Sequence, residues 1–346
     1  MDRLFSIEGF GMTEIVDMTN AAELDAFVER HPRCHFMQTS LYGRFRTDRT
    51  WTGIICRDRN RNIRGTMALL RHTTHHFNLS FFYAPRGPIF DDGDLATFRE
   101  LIEAARQLAK QCGAYMLRVD PAIEETDAAF LQCAQELGFH RKDAVDYSMS
   151  QPRMCYISDL AGLDTESLLM HYSRMKRYDV RRAMRNGVTV RMGSVEDVPV
   201  FNRMMEATAE KKGFTPRSAE YFSRFLTNLG EGAQMYLAEK DGKVIAGAIT
   251  MEYGNCMWHM FGCSDREYHA DCPNELLQYA MQCHAIQNGR RWFDFYGVEG
   301  YPVEENPKYG LHKYKQGFGA QFHAYAGEFD LPIRPLVERI MRLRQS

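Results

Sequence analysis

Two stretches of this 346-residue chain carry the same order of local signals, and that internal repeat restricts the folds open to it more than any other feature. Residues 52–69 read as a strand, a polar turn and a second strand; residues 235–251 do the same around Asp241-Gly242, a strong hairpin pair. Gly65 and Gly247 hold matching places 182 residues apart. Each hairpin leads to a third strand, 78–84 and 256–262, and then to an amphipathic helix, 95–112 and 274–288. Each helix stops at a glycine of C-cap character, Gly113 and Gly289, 176 residues apart; each glycine precedes an apolar strand, Tyr115–Val119 and Trp292–Tyr296. A Gly-Phe pair closes each copy, Gly138-Phe139 and Gly317-Phe318, at an offset of 179. Such constant offsets predict two copies of one α+β unit; two unrelated α+β domains are the alternative. The length suits two domains of roughly 100–200 residues each.

The order helix, antiparallel strands, helix, strand resembles the N-acyltransferase fold of acetyl-coenzyme-A-dependent (GNAT) enzymes. That likeness implies mixed sheets with a splayed cleft where an acyl carbonyl meets an amine, and it speaks of fold before chemistry. A coenzyme-A enzyme also needs backbone N–H groups cradling a pyrophosphate at a helix N-terminus. Gln316-Gly317-Phe318-Gly319-Ala320 is the one near match to such a loop, with the wrong spacing, and no P-loop or Gly-x-Gly-x-x-Gly is present. The acyl donor is therefore expected to arrive on some other carrier, and no cofactor is expected.

Net charge is −2, which excludes a nucleic-acid protein built on global positive charge but leaves room for a local patch. One such patch stands out: residues 174–191 hold seven Lys/Arg against Asp179 alone. Arg174, Arg177, Arg181 and Arg185 share one face of a helix that ends at Asn186-Gly187. A stripe of this kind suits phosphates or is simply a solvated face. No window approaches 18 apolar residues and no leader pattern opens the sequence, so a cytoplasmic location is expected. The nine cysteines are scattered without a Cys-x-x-Cys pair, predicting reduced, buried thiols and no thiol nucleophile. His72, His75 and His76 read as a hairpin loop with no acidic or cysteine ligand nearby, so no metal is expected. The basic amphipathic tail, residues 336–344, reads as a helix docked on a domain, with peripheral contact to an anionic membrane as the other use.

Seven further segments, in order along the chain, resemble those of the FemABX peptidyltransferase family. They are Gln38–Arg46, Tyr83–Asp91 with its Pro-Arg-Gly-Pro core, Arg118–Pro121, Arg181–Val190, Phe214–Phe222, Phe293–Val298, and Gly310–Gly319 followed by Gly327–Asp330. The family moves an amino acid from aminoacyl-tRNA to an amine of the peptidoglycan precursor stem peptide. The likeness implies that the tail helix returns to the first domain. It also implies that Arg46, Arg217 and Tyr221 hold the diphosphate of the precursor, with arginine where the family has lysine. Asp120 and Tyr115 would line the acceptor cleft, and Lys315 would sit at the tRNA acceptor end beside Tyr314, where the family has phenylalanine. Trp258-His259-Met260 stands where the family carries Tyr-x-Tyr, which puts the substrate contacts of Trp258 in question. No long charged helical hairpin interrupts the second half.

The chemistry such a transfer needs is aminolysis of an ester. Negative charge grows on the carbonyl and ribose oxygens, and a placed cation such as Lys315 would offset it. The attacking amine, an ammonium at neutral pH, must lose a proton; Asp120 accepts it or only positions the amine. The domains are expected at 1–153 with 330–346, for the precursor, and 154–329, for aminoacyl-tRNA. The acceptor is UDP-MurNAc-pentapeptide or lipid II, with the nucleotide form favoured, and a monomer is the expected state. An acyl-coenzyme-A-dependent N-acyltransferase and a non-catalytic tRNA- or precursor-binding module are the alternatives.

Overall fold

The structure is a computed structural model that describes residues 4–6, 12–73 and 79–343. The chain divides into two compact units, Met1–Arg153 with Ala324–Ser346, and Met154–His323. In the first, β1 (Leu4–Ser6), β2 (Met12–Val16), β3 (Thr50–Arg57), β4 (Ile63–Thr73) and β5 (Ser80–Ala84) form an antiparallel run, with β6 (Ile89–Phe90) also on β4. Helices α1 (Ala22–Arg30) and α2 (Ser40–Phe45) separate β2 from β3. Helix α3 (Leu95–Gln111) then crosses to β7 (Met116–Val119), which lies parallel to β5, Phe82 opposite Leu117. Parallel neighbours require such a crossover.

Asp94 starts α3 by accepting from the Thr97 N–H at 3.1 Å. Phe98, Leu101, Ile102, Ala105 and Ala109 recur at helical spacing, and they bury against Ile54, Met67, Leu69 and Phe82 of the sheet. Helix α4 (Ala128–Glu136) and β8 (His140–Lys142) follow.

The second unit opens with β9 (Met154–Asp159), α5 (Thr165–His171), α6 (Arg174–Arg185), β10 (Thr189–Gly193), α7 (Val198–Lys212) and α8 (Ala219–Asn228). Its meander is β11 (Ala233–Lys240), β12 (Lys243–Tyr253) and β13 (Cys256–Ser264); α9 (Pro273–Gln287) crosses to β14 (Trp292–Val298), parallel to β13. Asp241 and Gly242 both take positive φ, 51° and 76°, as the two-residue hairpin requires. Helix α10 (Tyr309–Gln316) and β15 (Gln321–Ala324) end the unit, and the sheet order is β10-β11-β12-β13-β14-β9-β15.

The chain then returns to the first sheet with β16 (Glu328–Pro332) and α11 (Pro335–Leu343), giving the order β1-β2-β3-β4-β5-β7-β16-β8. From β2 and from β10 onward the two orders match place for place. The repeat therefore yields two GNAT-like mixed sheets, with one twist of topology. The strand beside each parallel pair reaches it differently: β16 arrives only after the whole second unit, whereas β9 opens its own unit ahead of the meander. The expected boundary at 329/330 accordingly moves to 323/324, because Glu328 to Pro332 is itself a strand pairing with both β7 and β8. Arg118 of β7 clamps it, donating to both oxygens of Asp330 at 2.7 and 2.8 Å. The N–H groups of Ile333 and Arg334 donate to the Tyr115 carbonyl at 2.9 and 3.0 Å, leading α11 onto this unit; Arg344, read as part of that helix, lies outside the described residues.

One anchor of the repeat shifts. Gly138 ends its helix with φ 88°, but Gly317 stays in the helical region at −60° and Gly319, at 77°, makes the left-handed turn. All nine cysteines are free thiols, seven of them buried.

Candidate functional site

In the second unit β13 and β14 pair at three positions, the last being Trp258 opposite Asp294. Trp258 is thus a buried member of the strand pair. Beyond it β14 slips register against β9 between Asp294 and Gly297. Tyr296 takes φ 62° there, and its N–H donates to the Asp294 carboxylate at 2.6 Å. This bulge turns the carbonyls of Phe295, Tyr296 and Gly297 toward the Lys315 Nζ of α10, at 2.8, 2.9 and 2.8 Å. An ammonium has three donors, and all three are used. Burial pulls the Lys315 pKa down to about 8 while Asp294 pushes it up, so the side chain is charged at neutral pH. Lys315 is a buried, fixed positive charge where the strands part, and it pins the bulge.

Two neighbours hold α10 in place. His312, which sequence reasoning passed over, is buried between the Tyr156 hydroxyl at 3.1 Å and the Glu299 carbonyl at 3.1 Å. Tyr314 offers its ring face to Lys176 Nζ at 4.2 Å and packs edge-on to Phe318. The change from phenylalanine to tyrosine keeps this aromatic face.

In the first unit Asp120 follows β7 and is buried. Its oxygens accept from the Tyr83 hydroxyl at 2.9 Å and the Arg86 N–H at 2.5 Å. Burial pushes its pKa up to about 7 against the pull of Arg86. The Tyr115 ring is buried edge-on to Phe81, while its carbonyl ties down the C-terminal segment. Arg46 caps α2 and is already forked onto Asp48, at 3.0 and 3.2 Å, with its remaining nitrogen near the Tyr42 hydroxyl at 3.3 Å. A phosphate there would have to share Arg46 with Asp48.

The Pro-Arg-Gly-Pro segment makes sense beside Gln38. Its buried amide donates to the carbonyls of Ala68 and Pro85 at 3.1 and 2.8 Å and accepts from the Ala68 N–H at 2.9 Å. A Cβ on Gly87 would fall 2.2 Å from the Gln38 Cδ, so only glycine passes.

The basic helix is α6. Arg174, Arg181 and Arg185 are exposed and make no ion pair among the described residues. Arg177 is half-buried and donates to the Met170 carbonyl at 2.9 Å, so it anchors α6 to the end of α5. Exposed Tyr178 lies among them, with Arg185 over its ring at 5.5 Å. Arg217, on the loop before α8, stacks over Tyr221 at 5.2 Å, and Tyr221 belongs to an aromatic group with Phe222, Phe225 and Phe261.

Neither crossover helix presents an open N-terminus to an anion. The α3 cap is Asp94, itself paired with Arg64 at 3.0 Å. Helix α9 begins Cys272-Pro273 with Glu275 in its first turn, so an N–H is missing and a carboxylate is already in place. The segment Gln316–Ala320 closes α10 instead of opening a helix, and a Cβ on Gly319 would strike the His171 ring. Among the described residues no three His, Cys, Asp or Glu side chains gather as a metal site; His75 and His76 lie outside those residues.

Two N-acyltransferase sheets in one chain, the second with a cation buried at its strand splay, define a tandem GNAT-type protein. Solved structures of that form resemble it. The crystal structure of FemX superposes with a TM-score of 0.83 over 93% of this chain and 98% of its own, at 23% identity. A tandem GNAT protein from the clavulanic acid biosynthesis pathway gives 0.55 over 93% and 98%, at 14% identity. The sequence profile of the FemAB family matches residues 19–243 and 239–344, and the chain belongs to that family. It is 26% identical to the lipid II:glycine glycyltransferase of Staphylococcus saprophyticus over 399 residues, 94% of this chain and 96% of that one. It is also 26% identical to a protein of the same name from Staphylococcus aureus, over 406 residues, 94% of this chain and 96% of that one.

Proposed function

We propose that this chain is an aminoacyltransferase that moves an amino acid from aminoacyl-tRNA to the side-chain amine of the third stem-peptide residue of a peptidoglycan precursor. That it is an enzyme of the aminoacyltransferase class rests on its family and on curated relatives matched almost end to end. Their names make lipid II the first acceptor to test and glycine the first amino acid. This weighs against the nucleotide-linked acceptor favoured from Arg46, Arg217 and Tyr221. The observation that carries the reading is the Lys315-pinned bulge at the strand splay, a fixed charge where acyl transfer in this fold takes place.

In the reaction the amine nitrogen attacks the ester carbonyl, a C–N bond forms, the C–O bond to ribose breaks, and the ribose oxygen takes up a proton. Lys315 lowers the energy of the negative charge that develops on the way, through its field and by holding the bulge carbonyls still. Asp120, with a pKa near neutrality, accepts the amine proton or orients the amine in the acceptor half of the reaction. Arg174, Arg181 and Arg185 bind tRNA phosphates, with Tyr178 as a stacking face. Leu336 and Ile340, 79% and 57% exposed on one side of α11, suit contact with the membrane that carries lipid II, on its cytoplasmic side. No helix among the described residues is long and apolar enough to cross a membrane. An acyl-coenzyme-A donor fits less well, because both crossover helices start with their own carboxylates.

The test is direct. Purified protein is incubated with lipid II or UDP-MurNAc-pentapeptide and a panel of separately charged tRNAs, and products are weighed by mass spectrometry. The expected result is one added residue, abolished by ribonuclease. Transfer from acyl-coenzyme A, or none from any charged tRNA, would overturn the reading.

A further inference from the structure

With all three Lys315 donors spent on the bulge, the carbonyl oxygen of the reacting ester needs a hydrogen-bond donor from elsewhere. His259 is the first residue of β13 beyond the last pair with β14, on the side of the splay opposite the bulge. It sits opposite Thr250 on β12, where that pair also shifts register. Its Nδ1 lies 2.9 Å from the Gln278 Nε2 of α9, and with the amide in this orientation Nδ1 is the acceptor. A neutral imidazole that accepts at Nδ1 carries its proton on Nε2. That Nε2 is buried and makes no hydrogen bond among the described residues.

Three features keep the group in this state. Burial first, and then the charge of Lys315, hold the ring pKa down to about 4 against the weaker pull of the Phe261 backbone, so the ring is neutral at working pH. The proximity this implies puts His259 within the field of Lys315. Glycine at 262 lets the ring lie against the strand, since a Cβ there would stand 2.8 Å from Nε2. A buried N–H whose nearest acceptor, the Phe261 backbone, gives it no well-formed hydrogen bond costs stability, on the order of 1–3 kcal/mol, and a ligand oxygen would recover that cost.

We propose that His259 is a catalytic residue of this chain, its Nε2–H donating to the carbonyl oxygen of the transferred aminoacyl group as that oxygen becomes an oxyanion. No proton is transferred; the imidazole is a neutral donor throughout, and the ammonium beside it stays with the bulge. The inference rests on the acyl-transfer reading above.

Side-chain mimicry separates this role from a packing role. An asparagine amide reaches the place of Nδ1 and keeps the bond to Gln278, whereas a glutamine amide reaches the place of Nε2 and keeps the donor. In steady-state transfer assays we expect His259→Asn and His259→Leu to lose 100-fold or more in kcat with KM within about threefold, and His259→Gln to stay within about tenfold of wild type. Gly262→Ala, which crowds Nε2, should lose kcat as well. Nitrogen-15 NMR of the histidines should show one imidazole fixed as the neutral Nε2–H tautomer from pH 5.5 to 8, its signal absent in His259→Gln. Asparagine rescuing where glutamine fails, leucine retaining kcat within threefold, or His259 titrating near 6.5 would each overturn the proposal. A wild-type enzyme inactive with every charged tRNA sinks both this proposal and the functional reading; an active wild type with an equally active leucine variant sinks this one alone.

Discussion

Lys315 Nζ donates to the Tyr296 carbonyl at 2.9 Å, and Tyr296 is a non-glycine residue held at φ 62°. The bulge is therefore locally unfavourable and depends on the lysine that caps its carbonyls. Replacing Lys315 by methionine keeps most of the apolar stem and removes the ammonium from three carbonyls. We expect a loss of about 2–4 kcal/mol in unfolding free energy. Amino-acid transfer should fall at least 100-fold while calorimetry still shows precursor binding. Wild-type transfer by this variant would remove Lys315 from the mechanism.

Asp120 makes stability depend on pH in a predictable direction. Its folded pKa, raised by burial to about 7, lies above the ordinary 3.8. Between those values the folded chain keeps a proton that the unfolded chain releases. Its contribution is thus complete below about pH 4 and is lost as pH climbs through 7. Asp120→Asn should match wild type at pH 4.5 and exceed it at pH 8, by on the order of 1–2 kcal/mol. Thermal melts across that range check the slope, and transfer by the same variant tests the proton-accepting role.

Basic residues on α6 should separate into two behaviours. The half-buried Lys176 ammonium pairs with Glu275 at 2.6 Å and Asp179 at 3.6 Å, so Lys176→Ala should cost about 1–2 kcal/mol of stability. Arg181→Ala with Arg185→Ala should leave the melting temperature nearly unchanged. It should weaken tRNA binding and reduce the slope of log affinity against log salt by roughly 0.7–0.9 for each phosphate that is no longer neutralised. Filter binding from 50 to 300 mM salt reads both quantities; an unchanged slope would mean the face is merely solvated.

Gly87 and Gln38 should behave as a coupled pair. A methyl at 87 displaces a buried amide holding three hydrogen bonds, for an expected cost of about 3 kcal/mol. Gln38→Ala should cost much less in the Gly87→Ala background than in wild type, because the clash has already broken those bonds. Additive losses in denaturant titrations would contradict this.

Much of the site was legible along the chain because its residues carry local signals. Asp241-Gly242 can close only a tight hairpin, Gly113 and Gly289 follow helices of clear period, and Asn186-Gly187 ends α6, with Gly187 at φ 79°. Two parts were not legible. Arg177 counted as part of a free stripe, but its guanidinium turns back to the Met170 carbonyl, a choice made by the α5–α6 corner. Lys315 was expected as a cation placed to offset developing charge, but the bulge that takes up its hydrogen bonds is produced by a register slip between β14 and a strand more than a hundred residues away.

His259 marks the limit most sharply. In the sequence it is a lone histidine between tryptophan and methionine, where a family tyrosine pattern is missing. Only the parting of β13 from β14, and an α9 glutamine 2.9 Å from its Nδ1, single it out.

What the residues established unaided was a duplication: two α+β units of one design, their hairpins, crossover helices and turn glycines in step, and a family likeness spread over most of the length. Those are properties of short segments, set by periodicity and backbone preference. Tertiary structure decided which sheet each terminal strand joins, so that β16 completes the first and β9 the second, and where a buried ammonium finds its acceptors. Strand partnership and charge satisfaction depend on groups far apart in sequence, and no local pattern encodes them.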